Sequence, residues 1–417
     1  MISDSISYWQ RTAPIIPLST DLPRSVDVAV IGGGLMGTTT SYWLARRGIA
    51  VALLEQEAIG WGATGRNGGF VVAGPAGGYL DAITRLGHET AYAVMTDTLT
   101  NQRLLRQVLE EEAIECDYRE PGNIRLALTE TQEQQLREEV TAFRADGFLA
   151  DFLDRETLQT LIKTELSAEI RGGRLKPAQG LIHSARFVRG LAQAALRRGA
   201  RGYQARIQSL VPDGDHLRIE TTRGTLHAAT VVVAVNAWVG KLLPELAEFV
   251  VPQREQMLAY APLPPVFSHG ISADIMAGEY FQQTLDGTIL IGGCNTIAPG
   301  EDIGVWETTP LPVVQTAIEA ILPRLFPALA PLQVVQRWAG LLDCTTDSHP
   351  IVDAVATRPH VLVVCGLSGH GMPFGLRFGQ LVSDAVVNGT LPAALKPYQL
   401  DRPSIKKWDN TPSLRKD

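Results

Sequence analysis

The chain has little cysteine and little charge. Its four cysteines (Cys116, Cys294, Cys344 and Cys365) are scattered without a C-x-x-C pair, which argues against a disulfide frame or a zinc site and for a reducing compartment. No metal is expected. A dense Lys/Arg stripe is missing and the net charge is −7, so nucleic acid is not an expected partner. Met1 to Thr20 lacks the basic region and long apolar run of a secretory signal, and the expected location is cytoplasmic. Val28 to Ala45 is uncharged and long enough to span a membrane on length alone. Three consecutive glycines and Thr38-Thr39-Thr40 within it fit a nucleotide fold, and no membrane span is expected. Charged residues at 19% beside 45% hydrophobic describe an ordinary globular protein, and 417 residues allow two or three domains with a large core. There is no internal repeat.

What is present is one strong constellation near the start. A β-branched run, Val26 to Ile31, feeds Gly32-Gly33-Gly34-Leu35-Met36-Gly37, and this turn opens a helix from Thr38 to Arg47. A second strand, Ala50 to Leu54, ends in Glu55 and Gln56, with Glu55 18 residues beyond Gly37. Each part has a task in holding a dinucleotide. Gly32 permits the tight turn, Gly34 lets a pyrophosphate approach, and Gly37 lets the helix lie against the strand. Amides at the helix start face the anion, and Glu55 can accept from a ribose diol. At this point a nicotinamide cofactor and FAD are equally open.

Further along, Gly60 to Gly69 is too glycine-rich for a regular element. Asp81 to Arg171 reads as mostly helical around a strand at Asn123 to Leu128, and Phe187 to Arg198 as an amphipathic helix. Leu217 to Thr222 and Thr225 to Ala228 form a hairpin, followed by a buried strand, Thr230 to Val235. Met257 to Tyr260, Tyr280 to Thr284 and Thr288 to Ile291 are strands of another sheet, and Leu311 to Leu322 is a helix. His360 to Cys365 is a last buried strand, running into Gly366-Leu367-Ser368-Gly369-His370-Gly371 and a helix near Phe374 to Val387. The expected fold class is therefore α/β (α+β overall): a Rossmann-like domain from 1–80, 181–245 and 335–400. A discontinuous second domain, 81–180 and 246–334, is built on a mainly antiparallel sheet. Residues 401–417 read as a loose polar tail.

Only one nucleotide fingerprint exists, so electrons are expected from a small organic substrate and not from a second, nicotinamide site. The second glycine turn, with His370 in it, leaves a helix N-terminus free to face the pyrimidine side of a flavin ring. A loop histidine satisfied by backbone is an equal reading of His370.

Gly32 to Glu55, the Gly62 to Gly69 loop, Val232 to Trp238, Trp338-Ala339-Gly340 with Asp347 to Asp353, and Gly366 to Gly371 together resemble the FAD-dependent D-amino-acid oxidase superfamily. Within it the chain looks like the glycine/sarcosine oxidase-like amine oxidases. Thr64-Gly65-Arg66-Asn67-Gly68-Gly69, Cys116 to Arg119 and Asn236-Ala237 are similar to the gamma-glutamylputrescine oxidases. The resemblance implies FAD as cofactor. It implies that Gly62, Ala63, Thr64, Arg66, Asn67, Gly68 and Gly69 pass along the pyrophosphate and flavin ring. Ile207 would pair with adenine, while Ala234, Asn236 and Trp238 would lie toward the ADP half. Gly340, Gly369, His370, Gly371 and Met372 would border the isoalloxazine. Met257, Tyr280 and Cys294 would point down from a roof.

Departures from the family pattern bear on chemistry. Gly340 stands where sarcosine oxidases attach flavin through cysteine, which implies non-covalent FAD. Gly68 and Pro373 stand where those oxidases hold a substrate carboxylate with arginine and lysine, and Leu290 where a lysine assists oxygen. The expected reaction is oxidation of a C–N bond of a small amine or amino-acid derivative to an imine, with oxygen giving hydrogen peroxide. An FAD-dependent amino-acid or opine dehydrogenase is the alternative, and a non-enzymatic FAD-fold protein is a third. Tyr280, His370 and Cys294 are the catalytic candidates. Tyr280 is otherwise a core aromatic on a strand, and Cys294 is more often a small buried hydrophobe than a nucleophile. Glu255 could hold a distal ammonium, but a surface acid or the partner of Arg254 is the commoner reading. A monomer or small homo-oligomer is expected.

Overall fold

In a computed structural model, which describes residues 6–276 and 278–409, the run Ser25–Ile31 is an inner strand of an eight-stranded sheet. The main path of that sheet runs Ile351–Ala354, Val361–Cys365, Gly224–Val233, Ser25–Ile31, Val51–Glu55, Arg201–Gln204. Every pair along it is parallel except the first. Parallel strands need both faces covered, which is why Val28 to Ile31 and Val231 to Val233 are continuously apolar. Helices Leu35–Arg46, Ser184–Arg197 and Gly375–Asn388 supply one cover, with Leu44, Leu191 and Phe378 in its core. The other face holds Leu54, Val231 and Val363 with Leu217 and Ile219 of the attached hairpin.

A second eight-stranded sheet runs Val334–Cys344, Val251–Tyr260, Ile289–Gly292, Glu279–Gln283, Gly270–Ala273, Asn123–Ala127, Gly172–Lys176, Asp151–Asp154. One pair in it, Gly270–Ala273 with Asn123–Ala127, is parallel and the rest are antiparallel. Its outer face is closed by the helix Pro312–Leu325, where Ile318, Leu322 and Phe326 meet Tyr260 and Phe281. The inner face looks back toward the glycine turns. The expected mixed α/β class with a mainly antiparallel second sheet is what the chain adopts.

Three expectations change. Thr225 to Ala228 and Thr230 to Val235 are one strand, Gly224–Val233, because its first half pairs with His216–Thr221 while its second half lies between Ser25–Ile31 and Val361–Cys365. Val334–Cys344 is a strand where no strand was expected, since Arg337 and Asp343 interrupt its apolar pattern. The start of the tail is also not loose. Arg402 grips Asp347 through two hydrogen bonds of 2.7 and 3.0 Å, both groups are buried, and Ser404 donates to the same carboxylate. Removing one member of such a pair costs roughly 3–5 kcal/mol. Residues 410–417 lie outside the described residues.

Candidate functional site

The first glycine turn is shaped by contacts that only glycine allows. Gly32 has φ +109°, and a Cβ there would fall 2.2 Å from the Ala234 carbonyl oxygen. A Cβ on Gly37 would fall 1.9 Å from the Gly32 carbonyl, so the helix rests directly on the turn. Gly34 is different: the nearest atom to a Cβ is Thr64 Oγ1 at 3.3 Å, on the side that faces an open cleft. Thr64 Oγ1 accepts the Leu35 amide at 2.9 Å, tying the second glycine-rich loop to the helix start. Glu55 closes the turn by accepting the amides of Gly33 at 2.7 Å and Glu57 at 2.8 Å. Burial raises its carboxyl above the ordinary range, against the pull of those amides.

The cleft lies between the carboxyl ends of the parallel strands and the inner face of the second sheet. Its volume is about 1670 Å³, beyond the roughly 300–1,000 Å³ of a drug-sized pocket. It brings together nearly all the residues expected at a cofactor: Gly32, Gly34, Leu35, Met36, Glu55, Gln56, Gly62, Ala63, Thr64, Arg66, Asn67, Gly68, Ile207, Ala234, Asn236, Trp238, Gly340, Gly369, His370, Gly371 and Met372 line it. Gly37 and Gly69 stand behind the wall. A Cβ on Gly69 would meet the Ile182 carbonyl at 2.5 Å and the Trp9 ring at 2.7 Å, so only glycine fits there. A glycine cradle open at Gly34, an acid at one end and a cavity this long fit a dinucleotide.

At the far end the wall is rigid. Arg66 donates to the Ala339 carbonyl at 2.8 Å, and Trp338 Nε1 donates to the Arg66 carbonyl at 2.8 Å. Asn236, at φ +54°, donates to the Leu341 carbonyl at 2.9 Å. His370 lies 2.8 Å through Nε2 from the Gly74 carbonyl, which fixes the proton on that nitrogen, and burial pushes the ring down to about 4. The imidazole is therefore neutral at pH 7. Asp343, buried beside the second glycine turn, is pushed up to about 7 by burial, and its Oδ2 has no hydrogen-bond partner among the described residues.

The roof presents Met257 and Tyr280, both expected there. They share one face because Met257 and Tyr280 each pair in register with Gly292 on the strand between them. A Cβ on Gly68 would fall 2.8 Å from the Tyr280 ring, so the floor loop and the roof touch. Cys294 does not join them. It sits at the turn after Ile289–Gly292, fully buried in the outer core, with Sγ toward Glu279 Oε1 at 3.6 Å, and burial holds its thiol protonated. The Arg254–Glu255 pairing is also corrected: Arg254 binds Asp302 at 2.7 and 2.8 Å. Glu255, on the opposite face of that strand, lines the cleft with Oε1 buried and without a hydrogen-bond partner among the described residues. Burial pushes it up to about 7.

Arg125, Arg174 and Lys176 also line the cleft and were missed. The signal was the alternation in Asn123-Ile124-Arg125 and Arg174-Leu175-Lys176, which reads as one polar and one apolar face. Polar faces are ordinarily solvated, and only the fold shows that this one looks into a cavity. Among the described residues, no group of His, Cys, Asp and Glu could hold a metal, and no helix is long and apolar enough to cross a membrane.

Comparison with known proteins agrees with this geometry. Residues 27–385 match the family model described as FAD dependent oxidoreductase (DAO). A probable oxidoreductase OrdL of Rhizobium meliloti (strain 1021) is 29% identical over 394 residues, covering 92% of this chain and 88% of that protein. The gamma-glutamylputrescine oxidoreductase of Escherichia coli (strain K12) is 27% identical over 396 residues, covering 92% and 89%. The crystal structure of glycine oxidase from Geobacillus kaustophilus superposes with a TM-score of 0.78 at 23% identity, covering 91% of this chain and 99% of that one.

Proposed function

Since this chain belongs to the FAD dependent oxidoreductase family, we propose that it oxidises the C–N bond of a small amine or amino-acid derivative to an imine, passing the electrons to oxygen as hydrogen peroxide. The names of its relatives support an amine or amino-acid donor: one acts as a gamma-glutamylputrescine oxidoreductase and another as a glycine oxidase. The observation that carries the reading is the juxtaposition in one cleft of the glycine cradle and a roof of Met257, Tyr280 and Glu255. When bound, FAD supplies the two-electron acceptor, and its reoxidation delivers the peroxide.

The protein's own part is placement and proton handling. Glu55 would accept from the adenosine ribose of FAD, and the amides behind Gly34 would hold its pyrophosphate. Gly340 and the Gly369 to Met372 loop, which line the cleft, would border the flavin ring. Tyr280 and Met257 wall the substrate against it and exclude water, and a low-dielectric wall lowers an amine's pKa, favouring the neutral form that reacts. Glu255 Oε1 accepts an N–H of the amine, and a carboxyl poised near 7 can take up the proton that the amine sheds. His370, neutral and fixed to Gly74, orients the loop against the ring.

Cofactor attachment is non-covalent in this reading. Gly340 offers no thiol, and Cys344, four residues on, points its Sγ at Gln253 Oε1 at 3.2 Å. Acid precipitation of the holoprotein is expected to leave yellow FAD in the supernatant; colour held in the pellet would refute this. A second reading, a dehydrogenase that uses another acceptor, is favoured by Leu290. That side chain is fully buried with Met257 and Trp338 and brings no cation to assist oxygen. A peroxide assay with a panel of amines and amino acids separates the two: stoichiometric peroxide supports the oxidase, and turnover only with an added dye supports the dehydrogenase.

A further inference from the structure

Beyond Tyr280 the roof turns from aromatic to cationic. The register runs Tyr280, Ser272, Arg125, Arg174 over four neighbouring strands, so these side chains share one face, and Lys176, two residues past Arg174, shares it too. All five line the cleft. Lys176 is 7% exposed and Arg174 4%. Arg125 pairs with Asp274 and Arg174 with Glu139. Lys176 has no carboxylate of its own among the described residues: Nζ donates to the Ala73 carbonyl at 2.6 Å. Arg174 Nε, likewise buried, has no partner there either.

With Lys176 protonated, three cations thus face two carboxylates, the buried Glu139 and the more exposed Asp274; Asp81, also close to Arg125, is taken by Arg85. A buried charge without a counter-charge is costly, and the cost is visible: burial, with Arg174 alongside, pushes Lys176 down to about 7. A network built only to hold the sheet together would be expected to balance. This one is short by a single anion, on the wall of the cleft.

We propose that Arg125, Arg174 and Lys176 bind a carboxylate of the substrate, at the end remote from the reacting C–N bond. The inference rests on the amine-oxidising reading above. One missing negative charge matches one carboxylate and not a phosphate dianion. Neighbouring strands lie about 4.8 Å apart, so Arg125 stands roughly 10 Å and Arg174 roughly 14 Å along the sheet from Tyr280. An α-amino acid, with its two groups on one carbon, does not span that distance. The substrate class is therefore an amine joined to its carboxylate through a chain of several atoms.

The test uses the FAD-loaded protein without oxygen and a series of straight-chain ω-amino carboxylates. Each is compared with its methyl ester and with the n-alkylamine of equal length. Binding is read from perturbation of the flavin spectrum, and reaction from its bleaching. The free carboxylates are expected to bind about tenfold or more tighter than the matched esters and alkylamines, with the preference appearing only above a minimum chain length. In Lys176→Met, a change that strips no carboxylate of a partner, that ratio is expected to fall to about one. Equal binding of acid and ester by the unmutated protein, no spectral response to any carboxylate, or a preference that survives in a folded Lys176→Met would each overturn the proposal. The ester comparison decides even if the variant fails to fold. Bleaching by all amines alike would remove this site and leave amine oxidation standing. Carboxylate-dependent binding without any bleaching would do the reverse.

Discussion

Glu55 Oε2 accepts the backbone amide of Gly33 at 2.7 Å across the first glycine turn. One carboxylate therefore holds the turn closed while facing the cleft, where its remaining lone pairs would accept from a ribose diol. Replacing it by alanine removes both functions. Glu55→Ala is expected to weaken FAD binding by about 1–3 kcal/mol, which is roughly 5- to 150-fold. Titrating apoprotein with FAD and following quenching of its fluorescence checks this; unchanged affinity would show that the acid serves only the turn.

The glycines of the same turn separate folding from binding. A Cβ on Gly37 has nowhere to go, 1.9 Å from the Gly32 carbonyl, whereas one on Gly34 meets only Thr64 Oγ1 at 3.3 Å. Gly37→Ala is expected to yield little folded protein. Gly34→Ala should fold with a melting temperature near that of the unmutated apoprotein, yet bind FAD at least about tenfold less well, because its methyl group occupies the approach of the pyrophosphate. Thermal melts of apoprotein beside FAD titrations distinguish the two outcomes, and a Gly34→Ala variant that binds FAD normally would count against the cradle.

The cradle was legible in the sequence because every part of it is local: strand, turn, helix and acid lie within Val26 to Glu55. The chemistry was less legible because it is assembled across strands. Tyr280, Glu255, Arg125 and Lys176 come from four strands far apart in the chain, and which face each presents depends on register, which no short window contains. Glu255 follows Arg254 and looked like its partner, yet alternation along a strand sends neighbours to opposite faces. Cys294 looked like a roof residue, but the left-handed turn it occupies, at φ +60°, sends its side chain into the outer core. Arg402 looked like part of a solvated tail, and Asp347 pulls it inside.

Glu255 leads to a pH prediction. Burial raises its carboxyl to about 7, so the ionised form that accepts a proton accumulates as pH rises through 7 and is lost below it. Anaerobic flavin reduction by a fixed amine is expected to speed up across that window. In Glu255→Gln the rate should fall about 10²-fold or more, and the step near pH 7 should vanish while any step from the amine's own ionisation persists. Stopped-flow traces from pH 5 to 9, at saturating amine, give the comparison. A profile with the same midpoint in both proteins would assign that titration elsewhere.

The central claim is that amines reduce a flavin held in this cleft. The most direct measurement is to mix the FAD-loaded protein anaerobically with a panel of small amines, amino acids and ω-amino carboxylates and follow the visible absorption of the oxidised flavin. Loss of that absorption with at least one amine, with the imine's carbonyl hydrolysis product formed in equal amount, is the predicted result. Flavin that stays oxidised with every amine, in a protein shown to be folded and fully loaded, would contradict the account.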